Sequence, residues 1–488
     1  MNTTASQRPN ILLFVADGMQ GRVLSPDHDC QTPTIDSLMH RGMHITGAHT
    51  PLPTCSPARA SLMTGLLPHN HGVLEVEHGV DDDQCVLREQ HPHWAQHLRE
   101  SGYATAYFGK WHIERTGELQ RFGWDTFDAR GRATHRDASQ KGLNVDDSLD
   151  PSTVLMYQGP DGYNDTLKYA VTDVPAEDRA VGHSATLACD WLEGTPNDQP
   201  WCCCVSYYEP NEALIVGREA YEQYDVEQIA LPENLHDDLS DRPGIYQRDQ
   251  QIWQGITDAE WRQALACYYG RITELDGQLA RLIGVLESTG QIENTVVIVT
   301  ADHGRYMGGH GLDAHNFGAF EEIYAVPLVV AGPGVAQGVK TDALVGFHDL
   351  CPTILELADL APFDVADSQS FADLLRDPAA AQHHRQGYAE YYGTRFRLTQ
   401  RVYWEDEWKF VFNGFDFDEL YNLADDPWEM TNLVTRPENA ERVRHMMTVI
   451  WRRMHETGDN TLLNTHYHSM RFAAVGPNSG VPADSQQE

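Results

Sequence analysis

The stretch that decides the fold reads Pro53-Thr54-Cys55-Ser56-Pro57-Ala58-Arg59-Ala60-Ser61-Leu62-Met63-Thr64-Gly65. Pro57 has no N–H to lose in the first turn of a helix, so we expect a helix to begin there. Such a helix directs free N–H groups and the positive end of its dipole toward an anion beside Cys55. Arg59, one turn further on, can hold an oxyanion with its planar guanidinium. A structural cysteine in a proline-rich turn is the alternative, because short motifs recur by chance.

A cysteine followed by proline at +2 and arginine at +4 resembles the signature of the type I sulfatases. The resemblance implies that a formylglycine-generating or sulfatase-maturing enzyme oxidises Cys55 to formylglycine, an aldehyde that hydrates to a gem-diol. One diol oxygen would attack the sulfur of a sulfate ester, and the other would lose its proton to expel sulfate. A thiol has no second hydroxyl for that last step. The resemblance therefore makes Cys55 the nucleophile and Arg59 a catalytic residue.

Length and composition narrow the class of protein. A chain of 488 residues is too long for one small core, so a large domain and a smaller one are expected. The formal net charge of −37 disfavours binding to nucleic acid or to anionic membranes. The first apolar run, residues 11–16, is too short for a signal peptide or a membrane span. Nine cysteines without the spacing of a disulfide framework favour a reducing compartment, and we expect a cytoplasmic protein.

The first candidate metal ligand follows the first apolar segment. Residues 10–18 read Asn-Ile-Leu-Leu-Phe-Val-Ala-Asp-Gly, which predicts a buried strand that ends at Asp17. Ligands collect at the carboxyl ends of strands in open parallel sheets, so Asp17 is interpreted as a metal ligand. A cap for a following helix is the alternative. Sulfatases usually carry two adjacent acids here, and Gly18 replaces the second.

A second buried strand is predicted over residues 294–301, and it is followed by Asp302, His303 and Gly304. An acid and a ring nitrogen at this point would complete a divalent-metal site with Asp17 and the diol derived from Cys55. An isolated Asp-His-Gly is typical of a turn, but here three segments agree in kind and order. The Asp-His pair resembles the choline-sulfatase and phosphonate monoester hydrolase branch. The nitrogen favours Mn²⁺, yet we place Ca²⁺ first as the usual ion of the family, with Mn²⁺ or Mg²⁺ as alternatives.

Four further residues are candidates for substrate binding or catalysis. Gly-Lys-Trp-His at 109–112 resembles the family segment whose lysine and histidine bind the sulfate and the formylglycine oxygen, which would be Lys110 and His112. Asn211 stands where sulfatases often have a histidine near the leaving-group oxygen, and an amide cannot transfer a proton. His315 stands where relatives usually place a lysine that grips the sulfate. Our hypothesis is that His315, once a bound anion raises its pKa, donates the proton that Asn211 cannot.

The resemblance extends over residues 8–455 and implies an alkaline-phosphatase-like α/β fold. We expect a large mixed sheet flanked by helices over residues 1–385, with a long amphipathic helix at 258–288. A small antiparallel subdomain is expected over residues 386–457, followed by a tail over 458–488. Related branches use such tails for subunit contacts, so a homo-oligomer is expected. Residues 123–178 and 209–250 would form the rim that sets the choice of substrate.

The sequence therefore predicts a sulfuric ester hydrolase that acts on a small sulfated substrate through formylglycine and one divalent cation. A phosphonate monoester or phosphodiester hydrolase is the first alternative, because it would use the same site. A binding protein with an unmodified Cys55 is the second, and the departures at Gly18 and Asn211 would support it.

Overall fold

The computed structural model describes residues 8–80, 86–115, 117–129, 149–315, 317–394, 398–463 and 468–481. Eight strands of this part of the chain form a mixed sheet in the spatial order β11-β2-β10-β9-β1-β7-β3-β4. In chain order they are β1 (Asn10–Asp17), β2 (Gly42–His49), β3 (Ala104–Gly109), β4 (Thr126–Asp128), β7 (Trp201–Pro210), β9 (Thr295–Ala301), β10 (Leu328–Ala331) and β11 (Val339–Gly346). The sheet is mixed because β10 runs antiparallel to both of its neighbours.

The centre of the large sheet is formed by β1, which pairs in parallel with β9 on one side and β7 on the other. Every residue of β1 and β9 is buried, as their continuous apolar sequences predict. Ala16 is paired with Ala301, so the two strands end side by side. The Asp302 N–H extends this pairing by donating to the Ala16 carbonyl at 3.2 Å. The register therefore brings Asp17 and Asp302 to the same edge of the sheet.

The α-helices of the described chain include the long one that the sequence predicts. In chain order they are α1 (Pro33–Arg41), α2 (Cys55–Thr64), α3 (Pro68–His71), α4 (Trp94–Glu100), α5 (Ala180–Gly194), α6 (Arg218–Tyr221), α7 (Gly244–Trp253), α8 (Asp258–Ser288), α9 (Glu321–Tyr324), α10 (Leu350–Leu357), α11 (Ala372–Arg376) and α12 (Ala440–Thr457). A reciprocal cap begins α8: Thr257 Oγ1 accepts from the Glu260 N–H, and the Glu260 carboxylate accepts from the Thr257 N–H. Helix α8 packs against α5 and lies along the large sheet.

A four-stranded antiparallel sheet follows, made of β12 (Gln386–Tyr391), β13 (Gln400–Glu405), β14 (Trp408–Asn413) and β15 (Glu419–Asn422). Its apolar side packs on α12, where Met446, Ile450 and Trp451 are buried. Residues 468–481 of the expected tail lie against this helix, since the Trp451 indole donates to the Val475 carbonyl at 2.9 Å. The sheet begins at the boundary predicted for the small subdomain. The division at residues 385 and 457 stays a prediction.

The expected rim is built partly on a third sheet, whose strands are β5 (Leu155–Tyr157), β6 (Thr166–Thr172) and β8 (Leu214–Gly217). Residues 130–148 of the rim lie outside the described part of the chain. The sequence did not reveal β5 because a three-residue, half-exposed strand shows no period.

Two further observations concern the class of protein. None of the helices described here has the length and apolar character that crossing a membrane requires. The cysteines in the described ranges are all buried free thiols: Cys30, Cys55, Cys189, Cys202, Cys203, Cys204, Cys267 and Cys351. The three consecutive cysteines of β7 are fully buried and act as small apolar residues.

A buried ion pair connects α3 to β12. His69 Nδ1 donates to Glu390 Oε1 at 2.7 Å, and its Nε2 donates to the Thr457 carbonyl at 3.1 Å. Because both ring nitrogens donate, the imidazole is protonated. Burial alone would lower the pKa of His69, but the Glu390 carboxylate raises it to about 9.

We expect His69→Gln to destabilise the fold in a pH-dependent way. The folded-state pKa lies above the unfolded value of 6.5, so the pair contributes fully below pH 6.5 and loses its contribution as the pH rises through about 9. The loss in unfolding free energy should be of the order of 3 kcal/mol below pH 6.5 and should shrink toward pH 10. Denaturant titrations of both proteins across this range measure it.

His71→Gln is the matched control, because burial lowers the pKa of His71 well below the ordinary value. A histidine held neutral in the folded state contributes more as the pH rises through 6.5, so its pH dependence should have the opposite sign. A penalty for His69→Gln that is the same at pH 6 and pH 10 would contradict the assignment.

Candidate active site

Helix α2 places Cys55 at the edge of the sheet where β1 and β9 end. The helix begins at Cys55, two residues before the start that Pro57 suggested. Proline is tolerated in the first turn because the N–H groups there have no partner within the helix. All ten residues of α2 are buried, and Cys55 is 3% exposed. The Cys55 side chain therefore lies at a buried helix N-terminus, as the sequence predicts.

Four predicted metal ligands converge at this point. Asp17, Cys55, Asp302 and His303 each place one ligand atom within 4.8 Å of the others, and all four are buried. His303 Nε2 lies 3.2 Å from Asp17 Oδ1, 3.2 Å from Cys55 Sγ and 3.6 Å from Asp302 Oδ1. His303 Nδ1 donates to the Gly304 carbonyl at 2.8 Å, which directs Nε2 into the cluster, where it can bind either a proton or a metal ion. Two carboxylates, a ring nitrogen and the side chain of residue 55 fit a divalent cation.

Two cations orient the carboxylates of this cluster. Arg59 Nε donates to Asp302 Oδ2 at 2.7 Å, and its Nη1 donates to Ser206 Oγ at 2.6 Å. The Lys110 ammonium pairs with Asp17 Oδ2. Each acid thus gives one oxygen to a buried cation and turns the other toward His303. Arg59 and Lys110 therefore lie at the cluster, where the sequence placed them.

The charges of these groups support one another. Burial alone would raise the pKa of Asp17, but Lys110 and His303 hold it well below its usual range. Burial would likewise lower the pKa of Lys110 and of Arg59, yet the neighbouring carboxylates raise both. Burial also opposes the charged form of His303, but Asp302 raises the pKa of that ring well above its ordinary value. Asp17 is therefore ionised, and both cations are charged, near neutral pH.

Asn211 and His315 close one side of the cluster. The Asn211 amide nitrogen lies 3.3 Å from Asp17 Oδ1 and 3.4 Å from His315 Nε2, and it can only donate. The His315 ring stacks near His303, with centroids 4.0 Å apart. Burial and the His303 charge lower the pKa of His315 to about 3, so the ring is neutral near neutral pH. Its role as a proton donor stays a prediction that requires a bound anion to raise this pKa.

His112 lies in a neighbouring group with Glu77 and His78, apart from the four converging ligands at Cys55. Its backbone has a φ of 56°, and its Nε2 lies 2.9 Å from His78 Nδ1 and 3.4 Å from Glu77 Oε1. Glu77 connects this group to α2, because its N–H donates to Ser56 Oγ at 3.1 Å. Burial and the Lys110 charge lower the pKa of His112 well below its ordinary value. The predicted catalytic role of His112 is untested by this geometry.

Other residues of the site were not singled out from the sequence. Arg305 Nη1 donates to Asn211 Oδ1 at 2.9 Å, which fixes the orientation of that amide. Arg305 also pairs with Glu212 and, at 3.2 Å, with Asp313, and Asp313 pairs with Lys168 from β6. Arg305 lies two residues after His303, so its place next to the predicted Asp302-His303 pair was a usable signal. The sequence around Lys168 gave no such signal, because β6 belongs to a separate sheet and only the fold brings Lys168 close to Asp313.

Gly18, which replaces the second acid, has a backbone conformation that favours glycine. Its φ is +76°, which favours glycine, and a Cβ there would lie 3.6 Å from His303 Cε1 and 3.7 Å from Asn211 Cβ. A second acid at position 18 would therefore have its side chain between the His303 ring and the Asn211 side chain.

Comparisons with known proteins identify the family of this chain. The sulfatase family matches residues 9–360, and the C-terminal region of N-sulphoglucosamine sulphohydrolase matches residues 308–456. A choline-sulfatase of Rhizobium meliloti (strain 1021) is 27% identical over 446 residues, which cover 88% of this chain and 83% of that protein. An arylsulfatase of Clostridium perfringens is 25% identical over 473 residues, or 91% of this chain and 94% of that protein.

A solved structure shows the same fold. The phosphonate monoester hydrolase of Silicibacter pomeroyi has a TM-score of 0.77 at 21% identity, covering 95% of this chain and 98% of that chain. At this identity the likeness concerns the fold alone, which is alkaline-phosphatase-like.

We expect His303→Asn to change which ion the cluster prefers. The substitution replaces a ring nitrogen by an amide oxygen, and Ca²⁺ takes oxygen ligands whereas transition ions accept imidazole more readily. Affinity for Mn²⁺ should fall about tenfold or more, and affinity for Ca²⁺ should change much less. Competition titrations with the two ions measure this ratio.

Asp302→Asn is the control for charge, because it removes a negative ligand without changing the nitrogen. It should weaken both ions together. If His303→Asn weakened Ca²⁺ and Mn²⁺ binding by the same factor, the ring nitrogen would not be a ligand.

Proposed function

The chain belongs to the sulfatase family, as the match over residues 9–360 shows, and from this premise we propose that residue 55 acts as a formylglycine nucleophile beside one divalent cation. The protein is a sulfuric ester hydrolase. The observation that carries the proposal is the convergence of Asp17, Cys55, Asp302 and His303 within 4.8 Å at the N-terminus of α2. Hydrated formylglycine would supply the attacking oxygen that a thiol lacks.

The residues around the cluster give the site its polarity. A cation held by Asp17, Asp302, His303 and residue 55 would polarise the ester oxygens. Arg59 holds the Asp302 carboxylate in place and contributes positive charge at the first turn of α2. Lys110 contributes a second buried charge beside Asp17, and Arg305 a third beside Asn211. Each of these side chains is paired with a carboxylate, so the divalent ion would add the net positive charge that a chain of net charge −37 needs to accept an anionic sulfate ester.

Protonation of the leaving group is assigned to His315, with Asn211 as a hydrogen-bond donor to the substrate. The Asn211 amide points toward Asp17 and His315, and Arg305 prevents it from turning away. His112 is assigned to a substrate oxygen, since Glu77 and Ser56 connect its group to the start of α2.

The proposal includes Ca²⁺ as the first choice of ion, with Mn²⁺ or Mg²⁺ as alternatives, and an enzyme that oxidises Cys55. The buried free thiols of the described chain support a reducing, cytoplasmic location. A division at residues 385 and 457 and a homo-oligomeric state remain part of the proposal. The name of the choline-sulfatase relative supports a small sulfated substrate.

The same site would serve a phosphonate monoester hydrolase, which is the second candidate. Tetrahedral sulfuryl and phosphoryl groups differ mainly in charge. The single acid at Asp17 combined with His303 fits phosphonate monoester hydrolases as well as choline-sulfatases, so it supports this second candidate beside the first.

We expect mass spectrometry of the peptide that carries residue 55, from protein made in its own host, to find an aldehyde in place of the thiol. Cys55→Ala should reduce kcat by about a thousandfold or more, because it removes the nucleophile. Cys30→Ala is the matched control and should keep its activity, since Cys30 lies outside the cluster. An unmodified thiol in fully active protein would overturn the mechanism.

We also expect kcat/KM to be at least about tenfold higher for an aryl sulfate than for the matching aryl phosphonate monoester. Steady-state rates on both esters, with the same leaving group, test the choice between them. Cys55→Ala should abolish both reactions if one site performs them. A higher value for the phosphonate would transfer the assignment to the second candidate.

A further inference from the structure

A second group of metal-ligating side chains lies in the interior, apart from the active site. It consists of His310 in the loop after β9, Glu322 in α9 and Glu429 in the segment after β15. One ligand atom from each lies within 4.8 Å of the other two. The three side chains are at most 2% exposed. We call this group the His310 cluster.

The orientation of His310 leaves its Nε2 atom available to bind a metal ion. Its Nδ1 lies 2.8 Å from Asp237 Oδ2, and a carboxylate can only accept, so Nδ1 carries the proton. Nε2 then presents a lone pair toward Glu322 Oε2, which is 4.0 Å away. A carboxylate that holds the far nitrogen of a histidine is the usual outer-shell partner of a metal-bound ring. Asp237 therefore prepares His310 to bind a cation.

Two of the three side chains of the cluster have an atom without a hydrogen-bond partner. Among the described residues, His310 Nε2 and Glu322 Oε2 are buried and unpaired. Two acceptors cannot bond to each other, and 4.0 Å is too long for a hydrogen bond. In a tetrahedral site with metal–ligand distances of about 2.0–2.2 Å, the two ligand atoms would lie about 3.4 Å apart, so a bound ion would draw His310 and Glu322 slightly closer together. Buried unpaired acceptors are costly unless something positive lies between them.

Hydrogen bonds and ion pairs hold Glu322 and Glu429 of the cluster in place. Glu322 Oε1 accepts from Asn234 Nδ2 at 2.9 Å and lies 3.4 Å from Arg22. Glu429 Oε1 accepts from Lys409 at 2.8 Å, and its Oε2 accepts from the Glu321 N–H at 2.7 Å.

Ion pairs surround the cluster: Arg22 pairs with Glu322, Arg242 with Asp237, and Lys409 with Glu321 and Glu429. Both oxygens of Glu429 already accept hydrogen bonds, so the unpaired atoms that favour a cation are His310 Nε2 and Glu322 Oε2.

We propose that His310, Glu322 and Glu429 bind a second divalent metal ion, which is structural and separate from the ion at Asp17. A site with one ring nitrogen and two carboxylates suits a first-row transition ion such as Zn²⁺. The ion joins three segments: the loop that carries His303 and Arg305, helix α9, and the residues after β15. It thereby fixes the active-site loop to the C-terminal part of the chain.

The experiment measures the metal content of full-length protein produced in medium supplemented with Zn²⁺ and desalted before mass spectrometry of the elements. We expect Glu322→Gln and His310→Gln each to lose about one equivalent of Zn²⁺ per chain relative to the native protein. Asp302→Asn should keep this equivalent, which separates the inference from the function proposed above. His44→Gln, another buried histidine that belongs to none of the described ligand groups, should keep it as well.

Anomalous X-ray scattering at the zinc edge, from crystals of the native protein, tests the same point without a variant that must fold. A peak between His310 Nε2 and Glu322 Oε2 is expected. A water molecule there without anomalous signal, or a Glu322→Gln protein with unchanged zinc content, would overturn the proposal. A direct hydrogen bond between His310 Nε2 and Glu322 Oε2 in those crystals, with no ion between them, would also overturn it.

Discussion

The structure depends on the parallel pairing of β1 with β9, which brings Asp17 and Asp302 side by side in a dry interior. Two carboxylates in such a place are unfavourable unless cations accompany them. Arg59 and Lys110 provide those cations, each from a different element. Helix α2 is therefore bound to the sheet by charge as well as by packing, and the nucleophile candidate is positioned by the same contact that neutralises Asp302.

This arrangement separates two tasks within each acid. One oxygen pairs with a fixed cation, and the other faces His303. The ion pairs with Arg59 and Lys110 preserve the geometry of the cluster, while the other carboxylate oxygens are available to a bound divalent cation. A preorganised set of this kind does not need to rearrange as charge develops on a substrate.

The sequence was sufficient for those parts of the molecule that follow local rules. Continuous apolar strands that end in Asp17 and Asp302 predicted the sheet edge, and the cysteine–proline–arginine spacing predicted α2. It was insufficient where long-range contacts decide orientation. The Arg305–Asn211 bond connects residues 94 positions apart. His112 has a positive φ and contacts His78, and its sequence neighbours predict neither feature. The His310 cluster likewise joins residues from three distant segments, so its spacing shows no motif.

The complete burial of α2 has a consequence for the order of events in the life of the protein. Cys55 is 3% exposed and lies within a helix whose residues are all covered. A modifying enzyme therefore has no access to this thiol while the helix is packed. Any conversion of the thiol to an aldehyde has to precede the packing of this segment, and a chain that folds first keeps its thiol for as long as it stays folded.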